Sequence, residues 1–151
     1  MITTLTRETL CSLLAQVRAT PLPPFSCNIF QKHDLSSEET IRFQRGATSS
    51  FQNAAHFWIS VLLDEASTMA PPQAERFLET VVSERYTTCQ PISLEEFLHI
   101  VKHYDFVEDI HDFAPHGPFQ QGWLIYDVGT EIAVLAETTT EFVAFSWELV
   151  D

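Results

Sequence analysis

The spacing of apolar residues predicts helices along the first two thirds of the chain. Near the N-terminus an apolar stripe recurs at the helical interval after Thr6, which is placed to be the N-cap; its members are Leu10, Leu13, Leu14 and Val17. A short helix is predicted over Ser36–Arg45, with Gly46 at its end. Residues 50–66 are apolar on nearly every side, so they predict a central, buried helix.

Two more helices follow, each with a recognisable start. Pro71 and Pro72 are tolerated in the first turn of a helix predicted to end near Tyr86. Ser93 and Glu96 match a capping box, which predicts a helix running to about Tyr104. Four or five helices are therefore expected within residues 1–104.

After Pro118 the hydrophobic period changes from helical to alternating. Residues 122–128, 131–137 and 142–149 predict three strands, and the short connections between them favour antiparallel pairing. In the last strand, the side that carries Ser146 and Glu148 is expected to face solvent. We therefore predict an α+β fold, in which four or five N-terminal helices pack with a C-terminal three-stranded antiparallel β-meander. One globular domain is expected over 1–151, mainly helical over 1–104 and with the meander over 119–151.

Composition narrows the classes of protein to which this chain can belong. The 151 residues are 45% hydrophobic with a net charge of −13, and that much apolar content predicts a folded chain. Scarce Lys and Arg argue against direct contact with nucleic acid. The longest apolar stretch is too short to span a bilayer, and the N-terminus lacks a signal-peptide pattern. With three widely spaced cysteines, these features predict a cytoplasmic protein that makes no membrane contact.

The negative charge is concentrated in the last third of the chain. Residues 1–92 contain nine acidic and seven basic residues, whereas residues 93–151 contain twelve acidic residues and one base, Lys102. A surface of one sign attracts partners of the opposite sign and speeds their association. We therefore expect this region to meet a basic protein partner.

One pair of residues has metal-like spacing. His99 and His103 stand at i and i+4 on a predicted helix, so both imidazoles could reach one ion, with an acid between Asp105 and Asp112 as a third ligand. The alternative is a solvated polar face, since both histidines lie opposite the apolar stripe of that helix. Elsewhere the four glycines are isolated and no nucleophile has a local signature, so neither a catalytic residue nor a cofactor is predicted.

The predicted contact surface combines carboxylates with an aromatic anchor. Its members are Asp105, Glu108, Asp109, Asp112, Trp123, Asp127 and Glu131. They favour a non-catalytic binding module, such as an immunity or antitoxin-type inhibitor of a basic, nuclease-like partner, or an inhibitor that mimics nucleic-acid charge. Two alternatives remain: a metal-dependent hydrolase using His99, His103 and nearby acids, and an acidic secretion chaperone.

Overall fold

The computed structural model describes residues 5–82, 87–107 and 112–151. These ranges contain four α-helices, six β-strands and a short 3₁₀ helix at Thr48–Ser50. In chain order the elements are α1 (Arg7–Val17), β1 (Ser26–His33), β2 (Glu38–Ala47), α2 (Ala54–Ala66), α3 (Pro71–Val82), β3 (Gln90–Ile92), α4 (Leu94–Tyr104), β4 (Phe119–Asp127), β5 (Glu131–Thr138) and β6 (Glu141–Val150).

All six strands belong to one antiparallel sheet, in the order β1-β2-β6-β5-β4-β3. The hairpin β1–β2 joins the C-terminal strands through β2 and β6, in a register that places Phe43 beside Phe145. The helices α2 and α3 follow this hairpin in the chain, and α4 lies between β3 and β4.

The predicted fold class is wrong, because the sheet has six strands rather than three and begins before most of the helices. Residues 36–45, expected to be helical, belong largely to β2. Their acids at Glu38 and Glu39 imitate the first turn of a helix, but Ile41 and Phe43 alternate with polar residues at the period of a strand. β2 is completed by pairing with β6, about a hundred residues later, which a local pattern does not reveal.

Gly46 lies within β2 instead of ending a helix. A Cβ atom at this position would stand 2.6 Å from Phe51 Cε2 and 2.8 Å from Phe57 Cε1. The two rings pack edge to face, with centroids 5.0 Å apart. Gly46 is therefore needed for the close approach of aromatic rings to the sheet.

The sheet is covered on both faces, so the molecule has three layers. On one face α1, α2 and α3 pack against side chains that include Trp123, Leu135 and Ala144. On the other face Phe97 and Val101 of α4 pack against a second group, which includes Ile41, Phe43, Val134, Val143 and Phe145. As predicted, α2 is buried on nearly all sides.

Because both faces are covered, β6 has no solvent face along most of its length. Phe142 and Ala144, on the side expected to meet solvent, are 2% and 0% exposed beneath the helices. Ser146 and Glu148 continue that side and line a cavity, described below. The helical layer therefore covers the polar end of β6 incompletely.

The two edges of the sheet differ in length and exposure. β3 has only three residues and contains Pro91, which cannot donate to a neighbouring strand. β1 has eight residues, all but one of them exposed, including Ile29 at 56%. In the described ranges β1 pairs with β2 alone.

Within the described residues, no helix has the length and apolar character required to cross a bilayer.

Candidate functional site

One end of the sheet gathers carboxylates from several separate segments, and we call it the acidic end. Antiparallel pairing brings together the β1–β2 turn, the β4–β5 turn and the C-terminus of β6. Glu38 beside the first turn pairs with Val150 of β6, and Leu149 N–H of β6 donates to Thr130 O in the second turn. The acidic end comprises Asp34, Glu38, Glu39, Asp105, Asp127, Glu131, Glu148 and Asp151.

The turn aspartates of the acidic end are held by their own backbone. Asp34 and Asp105 each accept a hydrogen bond of 2.9 Å from a neighbouring backbone N–H, and Asp127 accepts one of 3.1 Å from Gly129. All three are exposed, and none forms an ion pair with another described residue. Their charges therefore face solvent in fixed positions.

Two cations at this end already have carboxylate partners. Lys32 Nζ lies 3.9 Å from Glu39, and the Arg42 guanidinium lies 3.4 Å from both Glu65 and Glu148. Their positive charges offset part of the negative charge, but several carboxylates of the acidic end remain unmatched. The Lys32–Glu39 pair is solvent-exposed on its lysine side, and such a pair contributes little to stability.

The C-terminus of α4 brings Asp105 to the acidic end. The Tyr104 ring lies 4.6 Å from the ring of Trp147, whose Nε1 donates to Glu39 at 2.9 Å. Burial, and in smaller part the negative charge of Asp127, raises the pKa of Tyr104. Asp105 and Asp127, which were predicted to share a surface, therefore belong to the same region.

Asp112, predicted to lie with them, is held at the opposite end of the sheet. Arg45 donates to the carbonyls of Asp112 and Ala114 at 2.8 Å and forms a 2.5 Å ion pair with Glu141. The hydrogen bond from His116 is the main reason that the pKa of the Asp112 carboxyl is lowered. At this end Asp112 and Glu141 are held by Arg45 and His116, whereas Asp34, Asp105 and Asp127 of the acidic end form no ion pair with a described residue.

The remaining members of the predicted contact surface have different positions. Glu131 begins β5 and is half-buried at the acidic end. Trp123 is 3% exposed in the core beneath α1–α3, so its ring is not on the surface. Glu108 and Asp109 lie outside the described residues.

His99 and His103 are both exposed on α4, as the pattern predicted. The His103 ring packs edge-on against Tyr104, with centroids 4.8 Å apart. Across the ranges that the structure describes, no three His, Cys, Asp or Glu side chains are grouped to hold a metal ion.

A cavity of about 400 Å³ adjoins the acidic end, between the sheet and helices α2 and α3. Its floor includes Arg42 and Gln44 of β2, with Ser146 and Glu148 of β6. The helices supply an apolar wall that includes Trp58, Val61, Leu62, Phe77 and Val81. The cavity thus combines an apolar wall with a polar floor, as ligand sites do.

Charged groups in this cavity perturb one another. Burial raises the pKa of Glu65, and the negative charges of Glu148 and Glu131 add to that effect, while Arg42 opposes it. Because burial affects the pKa more than the Arg42 guanidinium does, the ionised form of Glu65 is less stable in the cavity than it is in water.

Sequence reasoning did not find this cavity, because its residues come from distant segments. Arg42, Trp58 and Glu148 carry no shared motif, and only the pairing of β2 with β6 beneath α2 brings them together. The observable signal was the polar side of the last strand, where Ser146 and Glu148 interrupt an otherwise buried face.

Burial raises the pKa of two of the three cysteines, Cys27 and Cys89, which lowers their fraction of nucleophilic thiolate. Cys11, Cys27 and Cys89 are all free thiols. Cys89 is buried, and desolvation is the main cause that raises its pKa to about 12, so its thiol is protonated at neutral pH.

In comparisons with known proteins, the chain matches no family model, no curated protein and no solved structure.

Proposed function

We propose that this protein is a non-catalytic binding module that inhibits a basic partner through its acidic end. The observation that carries the proposal is the meeting of eight carboxylates from separate segments at one end of the sheet, where the described cations are already paired. Such a surface attracts Lys and Arg on another protein and accelerates encounter at low ionic strength.

The kind of partner follows from the charge pattern. A nuclease-like protein presents a positive groove for phosphates, and fixed carboxylates can occupy that groove in place of nucleic acid. We therefore infer that the chain competes with nucleic acid for its partner. The aspartates held by turn hydrogen bonds favour this role, because they lose little conformational freedom on binding.

We also infer that the protein acts in the cytoplasm. The support is the set of three free thiols, two of them exposed, which suits a reducing compartment.

The test is affinity capture from the source cell across a salt series, followed by affinity measurement with the identified partner. We expect a basic partner whose binding weakens steeply with salt and is blocked by DNA or RNA. The variant Asp34→Asn/Asp105→Asn/Asp127→Asn should bind roughly 3- to 100-fold more weakly, since each of three exposed interface pairs contributes about 0.2–1 kcal/mol.

Asp112→Asn and Glu137→Gln form the matched control, because both residues lie away from the acidic end. The proposal fails if these control variants weaken binding as much as the triple variant does. It also fails if the captured partner is not basic, or if its affinity is the same at low and high salt.

A further inference from the structure

We propose that the acidic end contacts its partner through three exposed aliphatic side chains, Leu35, Val128 and Val150, which we call the apolar row. The partner surface that fits it is an apolar patch bordered by Lys and Arg. This inference rests on the proposed function, since it names the chemistry of the surface that the acidic end recognises. The row comes from three separate segments: the β1–β2 turn, the β4–β5 turn and the end of β6.

Each side chain of the apolar row is open to solvent. Five large apolar side chains of the described residues are exposed, and three of them form this row: Leu35 at 104%, Val150 at 51% and Val128 at 39%. The other two, Ile29 and Leu98, lie on β1 and α4. Single exposed apolar residues are ordinary, whereas several within one patch are typical of a protein-binding surface.

Strand pairing places the members of the apolar row side by side along the end of the sheet. Glu38, which directly follows the turn that contains Leu35, pairs with Val150. On the other side of β6, the backbone N–H of the residue before Val150 donates to Thr130 O, in the turn of Val128, at 2.8 Å. Neighbouring strands are about 4.8 Å apart, so the two turns are separated by roughly 15 Å. That distance lies well within a standard interface of about 800 Å² per partner.

The turn that carries Leu35 is held in one shape. The Asp34 N–H donates to Ser37 O at 2.8 Å, and the Leu35 N–H donates to the Asp34 carboxylate at 2.9 Å. On the strands that the turn joins, Gln31 Nε2 donates to Glu38 at 3.0 Å. Because the backbone of this hairpin is already ordered, covering Leu35 costs little conformational entropy.

The charges around the apolar row determine which partner can cover it. Every member is adjacent in sequence to an exposed aspartate of the acidic end: Asp34, Asp127 and Asp151. A second copy of this chain would bring a like-charged acidic end against these carboxylates and would be repelled. Lys and Arg on a basic protein would pair with them instead, while an apolar patch between those cations would exclude water from the row.

The two kinds of contact respond differently to salt. Salt screens the pairing of exposed charges, whereas the burial of aliphatic side chains is not an electrostatic interaction and is not screened. We therefore expect binding at the acidic end to keep a salt-resistant part that depends on the apolar row.

The test uses the whole chain and two designed peptides of equal positive charge. One is an amphipathic helix of Leu and Lys, and in the other Gln replaces every Leu. By calorimetry, the Leu/Lys peptide should bind more tightly than the Gln/Lys peptide at about 0.1 M salt, and only the Leu/Lys peptide should still bind at about 0.5 M salt.

Methyl signals in ¹H–¹³C spectra report where the peptide binds. The signals of the apolar row, each assigned by its loss in a substituted variant, should shift when the Leu/Lys peptide is added. The signal of Leu98, an exposed aliphatic residue on α4, should stay in place.

Substitution of the apolar row separates its contribution from that of charge. Leu35→Ser/Val128→Ser/Val150→Ser should weaken binding of the Leu/Lys peptide roughly tenfold and leave binding of the Gln/Lys peptide unchanged. Leu98→Ser is the matched control and should bind both peptides as the unaltered chain does. Leu35→Ser alone changes a turn residue outside the strands, so it tests the proposal even if the triple variant does not fold.

The proposal is overturned if the two peptides bind equally, if the methyl signals of the apolar row do not move, or if Leu98→Ser weakens binding as much as the triple variant does. It is also overturned if sedimentation shows that the unaltered chain self-associates and that the triple variant does not, because a second copy would then cover the row. A Gln/Lys peptide that fails to bind at low salt counts instead against the electrostatic attraction in the proposed function, so the two failures are distinguishable.

Discussion

At the scale of single residues, Gly46 leaves no room for a side chain in the sheet. A Cβ atom there would overlap the rings of Phe51 and Phe57, and both rings are fixed by further aromatic contacts. Neither ring is the end of a flexible chain that can swing aside. The structure must therefore shift if any side chain is added.

Gly46→Ala is expected to destabilise the protein by about 1–3 kcal/mol, the usual cost of overpacking. Urea unfolding followed by tryptophan fluorescence measures this loss. Ala47→Ser, at the next and exposed position, should leave the unfolding midpoint nearly unchanged. Equal midpoints for Gly46→Ala and the unaltered chain would contradict the packing described here.

His56 should make stability depend on pH. It is 8% exposed, burial lowers its pKa from the ordinary 6.5, and its Nδ1 accepts a 3.0 Å hydrogen bond from the Gln52 backbone N–H. As the pH falls below 6.5, the unfolded chain takes up a proton that the folded chain still refuses. Stability is therefore present above pH 6.5 and is lost as the pH falls towards the lowered pKa.

Urea midpoints between pH 7.5 and pH 5 measure this effect. The dependence should be smaller in His56→Gln, while His99→Gln, at an exposed position on α4, should keep the dependence of the unaltered chain. A His56→Gln variant with an undiminished pH dependence would rule out this role.

At the scale of elements, α4 is the principal helix described over one face of the sheet. Phe97 and Val101 fill the core on that side, and the helix begins at a complete capping box between Ser93 and Glu96. Ser93 Oγ accepts from the Glu96 N–H, and Glu96 Oε1 accepts from the Ser93 N–H, both at 3.1 Å. The cap satisfies N–H groups that would otherwise be unpaired.

Ser93→Ala should destabilise the protein by about 1 kcal/mol, the typical cost of losing such a cap. Ser12→Ala, at an exposed interior position of α1, should have little effect or a slightly stabilising one, because alanine favours helices. Thermal unfolding of the two variants provides the comparison. A Ser93→Ala melting temperature no lower than that of Ser12→Ala would show that the cap contributes little.

The secondary-structure elements also differ in how well they could be predicted from sequence. Local signals were enough where an element carries its own pattern: the Thr6 cap of α1, the apolar α2, the Ser93 capping box and the alternation over β4–β6. They failed for β2, which was predicted to be helical, because the pairing of β2 with β6 is long-range. Asp127 could be placed at a turn from sequence, but Asp112 and Trp123 required the tertiary structure.

At the scale of the whole molecule, charge and cavity occupy neighbouring places. Glu131 and Glu148 belong to the acidic end and also line the cavity, so the electrostatic potential of that end extends into it. This arrangement arises from the sheet order, since antiparallel strands bring turns from residues 34–37 and 128–130 to one side. A net charge of −13 alone does not specify this arrangement of charge beside the cavity.

The exposed edge at β1 has a consequence for colloidal behaviour. An eight-residue edge strand with Ile29 on the surface is a template on which another copy can assemble, and mutual repulsion between negatively charged copies opposes that assembly. The repulsion vanishes near the isoelectric point of about 4.6. We expect light scattering to rise near that pH and Ile29→Lys to suppress the rise, whereas Leu35→Lys, in the adjoining turn, should not. Equal scattering from the two variants would exclude β1 as the nucleus of assembly. Because repulsion between copies opposes assembly at β1, the net negative charge acts as a kinetic barrier that keeps this protein in solution.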